Sequence, residues 1–160
     1  GFLARLDRAL RPGGWLVLNE YVGPRHFQFQ PRQLRIVEEL LAALPGRLRL
    51  HWPSGVLKCS YYPPPVAHFL AHAPNEAVSS EEIVPGVSAR FDLVSRRDYG
   101  GTILSPLLEG IIGNFDESRE EELALLRLLS TCERILLREA ALASDFTVLV
   151  ARKRATGESA

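Results

Sequence analysis

Residues 10–24 read LRPGGWLVLNEYVGP, and this stretch predicts the end of a helix, a glycine turn and a buried strand. Pro12 and the pair Gly13-Gly14 stop the helix, because proline lacks an amide donor and glycine tolerates positive φ. The run from Trp15 to Leu18 is apolar without alternation, which is typical of a strand covered on both faces. It gives way to Asn19-Glu20-Tyr21, and ligands of open α/β sheets lie beyond the carboxyl ends of strands. These three residues are therefore the first candidates for a functional site.

The rest of the chain reads as helices separated by two further strands. Pro31 suits the first helical position, and an amphipathic helix follows it as far as Pro45-Gly46. The alternating residues 89–95 and the apolar residues 146–151 predict the second and third strands. Strands separated by helical segments predict the α/β class.

Four further helices are predicted between and after these elements. The three shorter ones cover residues 66–73, 79–86 and 102–112. The longest covers residues 118–141, where Ser118 and Glu121 have the spacing of a capping box. Its buried face is expected at Leu123, Leu126, Leu129, Ile135 and Leu136.

Residues 1–151 are interpreted as part of one domain, with residues 152–160 as a polar, frayed tail. Within the domain, residues 47–88 are expected to form an ordered, lid-like excursion. The triplet Pro63-Pro64-Pro65 imposes a stiff extended path there, and the aromatic side chains Trp52, Tyr61 and Tyr62 argue against a disordered linker.

The composition of the chain excludes several classes of protein. The 160 residues contain 19 basic and 19 acidic side chains, so the neutral net charge predicts no nucleic-acid or membrane partner. Cys59 and Cys132 are the only cysteines and lie far apart, which favours a reducing, cytoplasmic location. The chain contains no methionine, and we expect it to be a piece of a longer polypeptide.

The candidate site residues each have a structural alternative. Asn19, Glu20 and Tyr21 contact a substrate, or else satisfy the backbone at a strand end. Arg25 and His26 bind an anion or supply a general base, or else form a surface pair in a loop. The segment Tyr99-Gly100-Gly101 lets backbone approach a ligand closely, or else only permits a tight turn.

Other motifs are missing from the sequence. His68 and His72 have the spacing of metal ligands on a helix, but no third ligand falls at a matching spacing, so no metal site is predicted. The sequence contains no glycine-rich nucleotide motif and no serine nucleophile elbow.

Residues 10–28 carry a resemblance to a known family. The L-x-P-G-G turn followed by a strand resembles the fifth strand of class I S-adenosylmethionine-dependent methyltransferases. Residues 19–28, NEYVGPRHFQ, resemble a branch with N-E-Y-V-G-P-x-R-F-Q, although His26 intrudes and the arginine comes one place early. The later segments NEAV (75–78), YGGT (99–102) and SDFTV (144–148) continue the resemblance along nearly the whole chain.

The resemblance implies a partial Rossmann-like sheet that consists of the last three strands, with the final strand antiparallel and between the other two. The first four strands and the cofactor-binding half would be missing. S-adenosylmethionine would therefore bind the complete enzyme but not this chain alone. The chain would supply the side that binds a small-molecule acceptor.

The resemblance and the position of the strand end together suggest roles for six residues. Glu20 or His26 would be the catalytic base, and the substrate-binding residues would be Asn19, Tyr21, Arg25 and Tyr99. The strand Trp15–Asn19 would have a bare edge, so the expected partner is the missing half or a second copy. The alternative is a non-catalytic α/β module that binds a ligand or self-associates.

Overall fold

A computed structural model describes residues 1–155 and shows an α/β fold. The described residues form six α-helices: α1 (Phe2–Ala9), α2 (Pro31–Ala43), α3 (Val66–His72), α4 (Ile83–Arg90), α5 (Leu104–Leu108) and α6 (Glu120–Arg138). They form five strands: β1 (Trp15–Tyr21), β2 (Leu50–His51), β3 (Val56–Leu57), β4 (Phe91–Gly100) and β5 (Phe146–Lys153). The strands and helices alternate along most of the chain.

The main sheet has three strands in the order β1-β5-β4, and β5 is antiparallel to both neighbours. The strands β1 and β4 therefore run in the same direction and end at the same edge of the sheet. In β4 the register shifts between Leu93 and Ser95 and again between Asp98 and Gly100. The short strands β2 and β3 form a separate hairpin.

One face of the sheet is covered and the other is open in the described residues. Leu16, Leu149 and Ala151 pack beneath α1 and α4 in one hydrophobic cluster. On the opposite face, Trp15 is 56% exposed and Val17 is 64% exposed. The prediction that β1 is covered on both faces is therefore wrong for this part of the chain, because α1 and α4 both pack on the same side.

A second hydrophobic cluster lies away from the sheet. It joins α2, α5 and α6 through Val37, Leu41, Ile103, Leu107 and Leu129. The helix α2 begins at Pro31 as predicted, because a missing amide donor is harmless in the first turn.

Several predicted element ends are wrong. The helix α4 runs through Pro85 and Gly86 to Arg90, because Pro85 lies in the first turn where its amide is not needed. Only Leu104–Leu108 is α-helical within residues 102–112. The strand β4 continues to Gly100, and β5 continues to Lys153, so part of the predicted polar tail pairs in the sheet. Residues 156–160 of that tail lie outside the described residues.

The predicted capping box of α6 is also wrong. The Ser118 hydroxyl bonds the Asp116 carboxylate at 2.6 Å and does not cap the helix. The buried Glu122 carboxylate lies at this end of the helix instead, where it accepts the Asp116 amide at 2.8 Å and the Arg47 guanidinium at 2.6 Å. Ile135, predicted to be buried, is 44% exposed.

The start of β5 joins the ends of β1 and β4. The Asp145 amide donates to the Gly100 carbonyl at 3.2 Å, and the Asp145 carbonyl accepts the Val22 amide at 2.7 Å. The Ser144 hydroxyl accepts the Gly100 amide at 2.9 Å. These bonds fix the carboxyl ends of both parallel strands to the start of β5, which lies between them.

The turn after β4 is held by a glutamate from α6. The buried Glu133 carboxylate accepts the amides of Gly101, Ile103 and Leu104 at 3.0, 2.6 and 2.9 Å. Gly100 and Gly101 have φ of +107° and +79°, which glycine adopts without strain. Glu133 therefore fixes both the glycine turn and the first amides of α5.

We predict that Glu133→Gln lowers the free energy of unfolding by roughly 1–3 kcal/mol, because the amide nitrogen replaces one acceptor and faces backbone donors. The matched control Glu121→Gln changes an exposed glutamate of the same helix and should cost less than about 0.5 kcal/mol. Urea denaturation of the two variants measures the difference. Equal losses would show that the three amide contacts do not hold the turn.

Candidate functional site

A cavity of about 860 Å³ opens at the carboxyl end of β1. The strand contributes Leu18, Glu20 and Tyr21, and the first turns of α1 and α4 and residues 75–80 supply the other walls. Alternation along β1 places Leu18 and Glu20 on the covered face, where the two helices flank them. The cavity thus lies where the sequence predicts a ligand.

The six predicted site residues fall into three separate places. Glu20 and Tyr21 line the large cavity. Asn19 lies on the open face, where its side-chain oxygen accepts the Tyr99 hydroxyl at 2.7 Å. The other two, Arg25 and His26, line a smaller cavity of about 460 Å³.

Tyr21 is held in a fixed position in the cavity wall. Its hydroxyl donates to the Pro24 carbonyl at 2.9 Å, and its ring packs on Phe27 and Phe146 at centroid distances of 4.6 and 5.3 Å. Burial, reinforced by the nearby Asp145 carboxylate, raises the pKa of the Tyr21 hydroxyl well above its usual value. The phenol therefore stays protonated and acts as a wall and a donor.

Asp145 is a buried carboxylate behind Tyr21. Burial is the main cause that raises its pKa from an ordinary 3.8 to about 6, and the Glu133 charge adds to it. The Gln33 amide opposes the shift by donating to it at 2.9 Å. A Cβ at Gly23 would lie 2.6 Å from this carboxylate, so glycine is needed there for the close approach. Sequence reasoning did not find Asp145 as a site residue, because its burial depends on α2 and on residue 23.

His26 and Phe27 form a strained turn beside the cavity. Their φ angles are 51° and 55°, in the left-handed region that non-glycine residues rarely adopt. The His26 amide donates to the Ala77 carbonyl at 3.0 Å, and Nδ1 lies 3.1 Å from the Glu76 carbonyl. The His26 ring stacks on Phe69 and is 2% exposed. No pattern in the sequence indicates this conformation.

Lys58 is another buried group that the sequence did not reveal. Its ammonium donates to the carbonyls of Pro106 and Glu109 at 2.8 and 2.5 Å and lies over the Tyr61 ring. Burial lowers the pKa of this ammonium. Because these carbonyls close the last turn of α5, Lys58 ties residues 47–88 to that helix.

Comparison with known proteins found no match. The chain matches none of the known protein families, and neither a curated protein nor a solved structure is similar to it. In residues 1–155, every helix is too short or too polar to cross a membrane. The site must therefore be interpreted from its own geometry.

We predict that the free energy of unfolding depends on pH through the ionisation of the buried Asp145 carboxyl. Since its pKa is raised on folding, its contribution is complete below about pH 4 and is lost as the pH rises through about 6. The variant Asp145→Asn keeps an acceptor for Gln33 and cannot ionise. Its unfolding free energy relative to the parent should rise by roughly 2–3 kcal/mol between about pH 4 and 7.

Urea denaturation as a function of pH measures this difference. The control Asp92→Asn alters an exposed carboxylate, and its difference from the parent should vary by less than about 0.5 kcal/mol. A pH-independent difference for Asp145→Asn would contradict the raised pKa.

Proposed function

We propose that this chain is the substrate-side half of an S-adenosylmethionine-dependent methyltransferase that acts on a small-molecule acceptor. The observation that carries the proposal is the cavity at the carboxyl end of β1, with Glu20 and Tyr21 in its wall. This strand follows the L-x-P-G-G turn that resembles the family. A concave, largely apolar pocket with a few polar groups is typical of small-molecule sites.

The order of the strands supports the proposal. The resemblance implies a last strand that lies between the other two and runs antiparallel to them, and β5 does so. The proposal includes further strands beyond β1 that would complete a Rossmann-like sheet. The cavity lining holds no glycine-rich turn that follows a strand, so the cofactor would be bound mainly outside residues 1–155.

In this proposal the chain positions the acceptor and removes its proton. S-adenosylmethionine supplies an already activated methyl group, so alignment of the acceptor accounts for much of the rate. The apolar side chains of Phe2, Leu3 and Leu18 line the cavity and orient the acceptor. The exposed Glu20 carboxylate accepts the acceptor's proton as general base, and the protonated Tyr21 forms the adjacent wall.

The charges around the cavity restrict the acceptor. Glu20, Glu76 and Glu82 line it, against the single guanidinium of Arg90. Each carboxylate repels a negatively charged ligand only modestly, because nearby solvent weakens the interaction. The three repulsions nevertheless act in the same direction. The proposed acceptor is therefore neutral or cationic.

We predict that Glu20→Gln in the full-length protein lowers kcat/KM for the acceptor by roughly 10²-fold or more, because the base is lost. Transfer of a labelled methyl group to a panel of phenols and amines measures activity. The control Glu38→Gln alters an exposed glutamate of α2, outside the cavity. Unchanged kinetics in Glu20→Gln would remove Glu20 from the site, and failure of the parent to methylate any acceptor would contradict the function.

A second candidate function, a self-associating module, is favoured by the edge of β1. In the described residues β1 pairs only with β5, and Trp15–Leu18 contains no charge and no proline to prevent pairing with another chain. Trp15 and Val17 are exposed on the open face beside this edge. The Arg152 guanidinium carbon lies over the Trp15 ring, 5.7 Å from its centroid.

We predict that Val17→Lys weakens self-association of the 160-residue chain by roughly tenfold or more, since a lysine at an edge opposes strand pairing. Sedimentation equilibrium at micromolar concentration measures the change. The control Val94→Lys alters a valine of similar exposure on the other edge strand, and should leave association unchanged. A parent chain that is monomeric and melts cooperatively would contradict the second candidate.

A further inference from the structure

Two strained segments meet beside the large cavity. His26 and Phe27 have φ of 51° and 55°, and Ala77, in the segment Asn75–Ser80, has φ of 48°. A left-handed conformation costs an ordinary residue roughly 1–2 kcal/mol, so such segments persist only where other contacts hold them. Two contacts join these two segments to each other.

We infer that His26 is a positioning residue that holds Asn75–Ser80 as a wall of the large cavity. The inference rests on the proposed function only for the identity of the ligand. His26 makes two hydrogen bonds to consecutive carbonyls of this segment, with its amide to Ala77 and its ring to Glu76. A carbonyl only accepts, so Nδ1 carries the proton in this arrangement.

His26 lies between the two cavities, so its bonds to Glu76 and Ala77 help to separate them. His26 lines the smaller cavity, whereas Glu76 and Ala77 line the larger one. Phe27, the next residue, also lines the larger cavity and packs on Tyr21. Release of His26 would therefore free the segment and the Phe27 wall together, and would open the large cavity toward the smaller one.

Further contacts anchor the turn on its other side. The His26 ring stacks on Phe69 of α3 at a centroid distance of 5.5 Å. The Gln28 amide donates to the carbonyls of His26 and Pro64 at 3.0 and 2.9 Å. The turn is thus fixed to α3 and to Pro64, which precedes that helix. The segment Asn75–Ser80 is itself fixed to the turn.

The role as a positioning residue differs from that of a general base. The positioning role uses the Nδ1 proton, which the Glu76 carbonyl accepts, whereas a general base would act through the unprotonated Nε2. Asparagine places an amide nitrogen at the same distance from the backbone as Nδ1 and tolerates the left-handed region. His26→Asn should therefore preserve the hold on the segment although it cannot act as a base.

Hydrogen exchange of the backbone amides tests this inference, and it needs neither cofactor nor acceptor. Three variants are compared. His26→Asn keeps a donor, and His26→Asp has the shape of asparagine but no donor. His26→Gly has no side chain and no backbone strain. In the Asp and Gly variants, exchange at residues 75–80 should accelerate roughly tenfold, and in the Asn variant it should stay within about threefold of the parent. The Leu149 amide in β5 is the internal reference.

Each other outcome would overturn the inference. Unchanged exchange in His26→Gly would show that the side chain does not hold the segment. Equal acceleration in Asn and Gly would show that the Nδ1 contact is not the cause. Acceleration by the same factor at Leu149 would show that His26 supports the whole domain. A failure of methyl transfer would leave the exchange result unaffected, so the two proposals are tested separately.

Discussion

Hydrogen bonds at Ser144 and Asp145 join the carboxyl ends of β1 and β4 at the point where β5 begins. The Gly100 amide and carbonyl, the Val22 amide and the Thr102 hydroxyl all bond to these two residues. A strand that runs antiparallel between two parallel neighbours must enter where both of them end. The junction therefore fixes the edge of the sheet at which the cavity lies, and the buried Asp145 carboxylate lies directly behind Tyr21.

Two buried carboxylates hold the chain at the starts of α5 and α6. Glu133 fixes the start of α5 beside the junction, and Glu122 fixes the loop before α6 to Arg47. On the far side of Tyr21, the turn at His26 and Phe27 brings residues 75–80 against the cavity. The proposed acceptor site thus combines a rigid strand end with one segment that has few anchors. Such an arrangement is suited to a wall that opens for a ligand.

Local patterns in the sequence predict the elements whose ends depend on local chemistry. Pro12 with Gly13-Gly14 locates the start of β1, and Pro31 locates the start of α2. Features that depend on distant partners were not predictable. The burial of Glu133 requires backbone donors about thirty residues away, and the left-handed turn at His26 requires the carbonyls of residues 76 and 77. The strand β1 has an apolar run typical of two-sided burial, yet one of its faces is open.

We propose that the cavity beside Glu20 and Tyr21 receives the acceptor of a methyl transfer. A crystal structure of the complete enzyme of this proposal, with S-adenosylhomocysteine and a neutral or cationic acceptor bound, tests it directly. We expect the acceptor to occupy this cavity, with its reacting atom between the cofactor sulfur and the Glu20 carboxylate. Binding of the acceptor on the open face near Asn19 and Tyr99, with the cavity filled by protein, would contradict it.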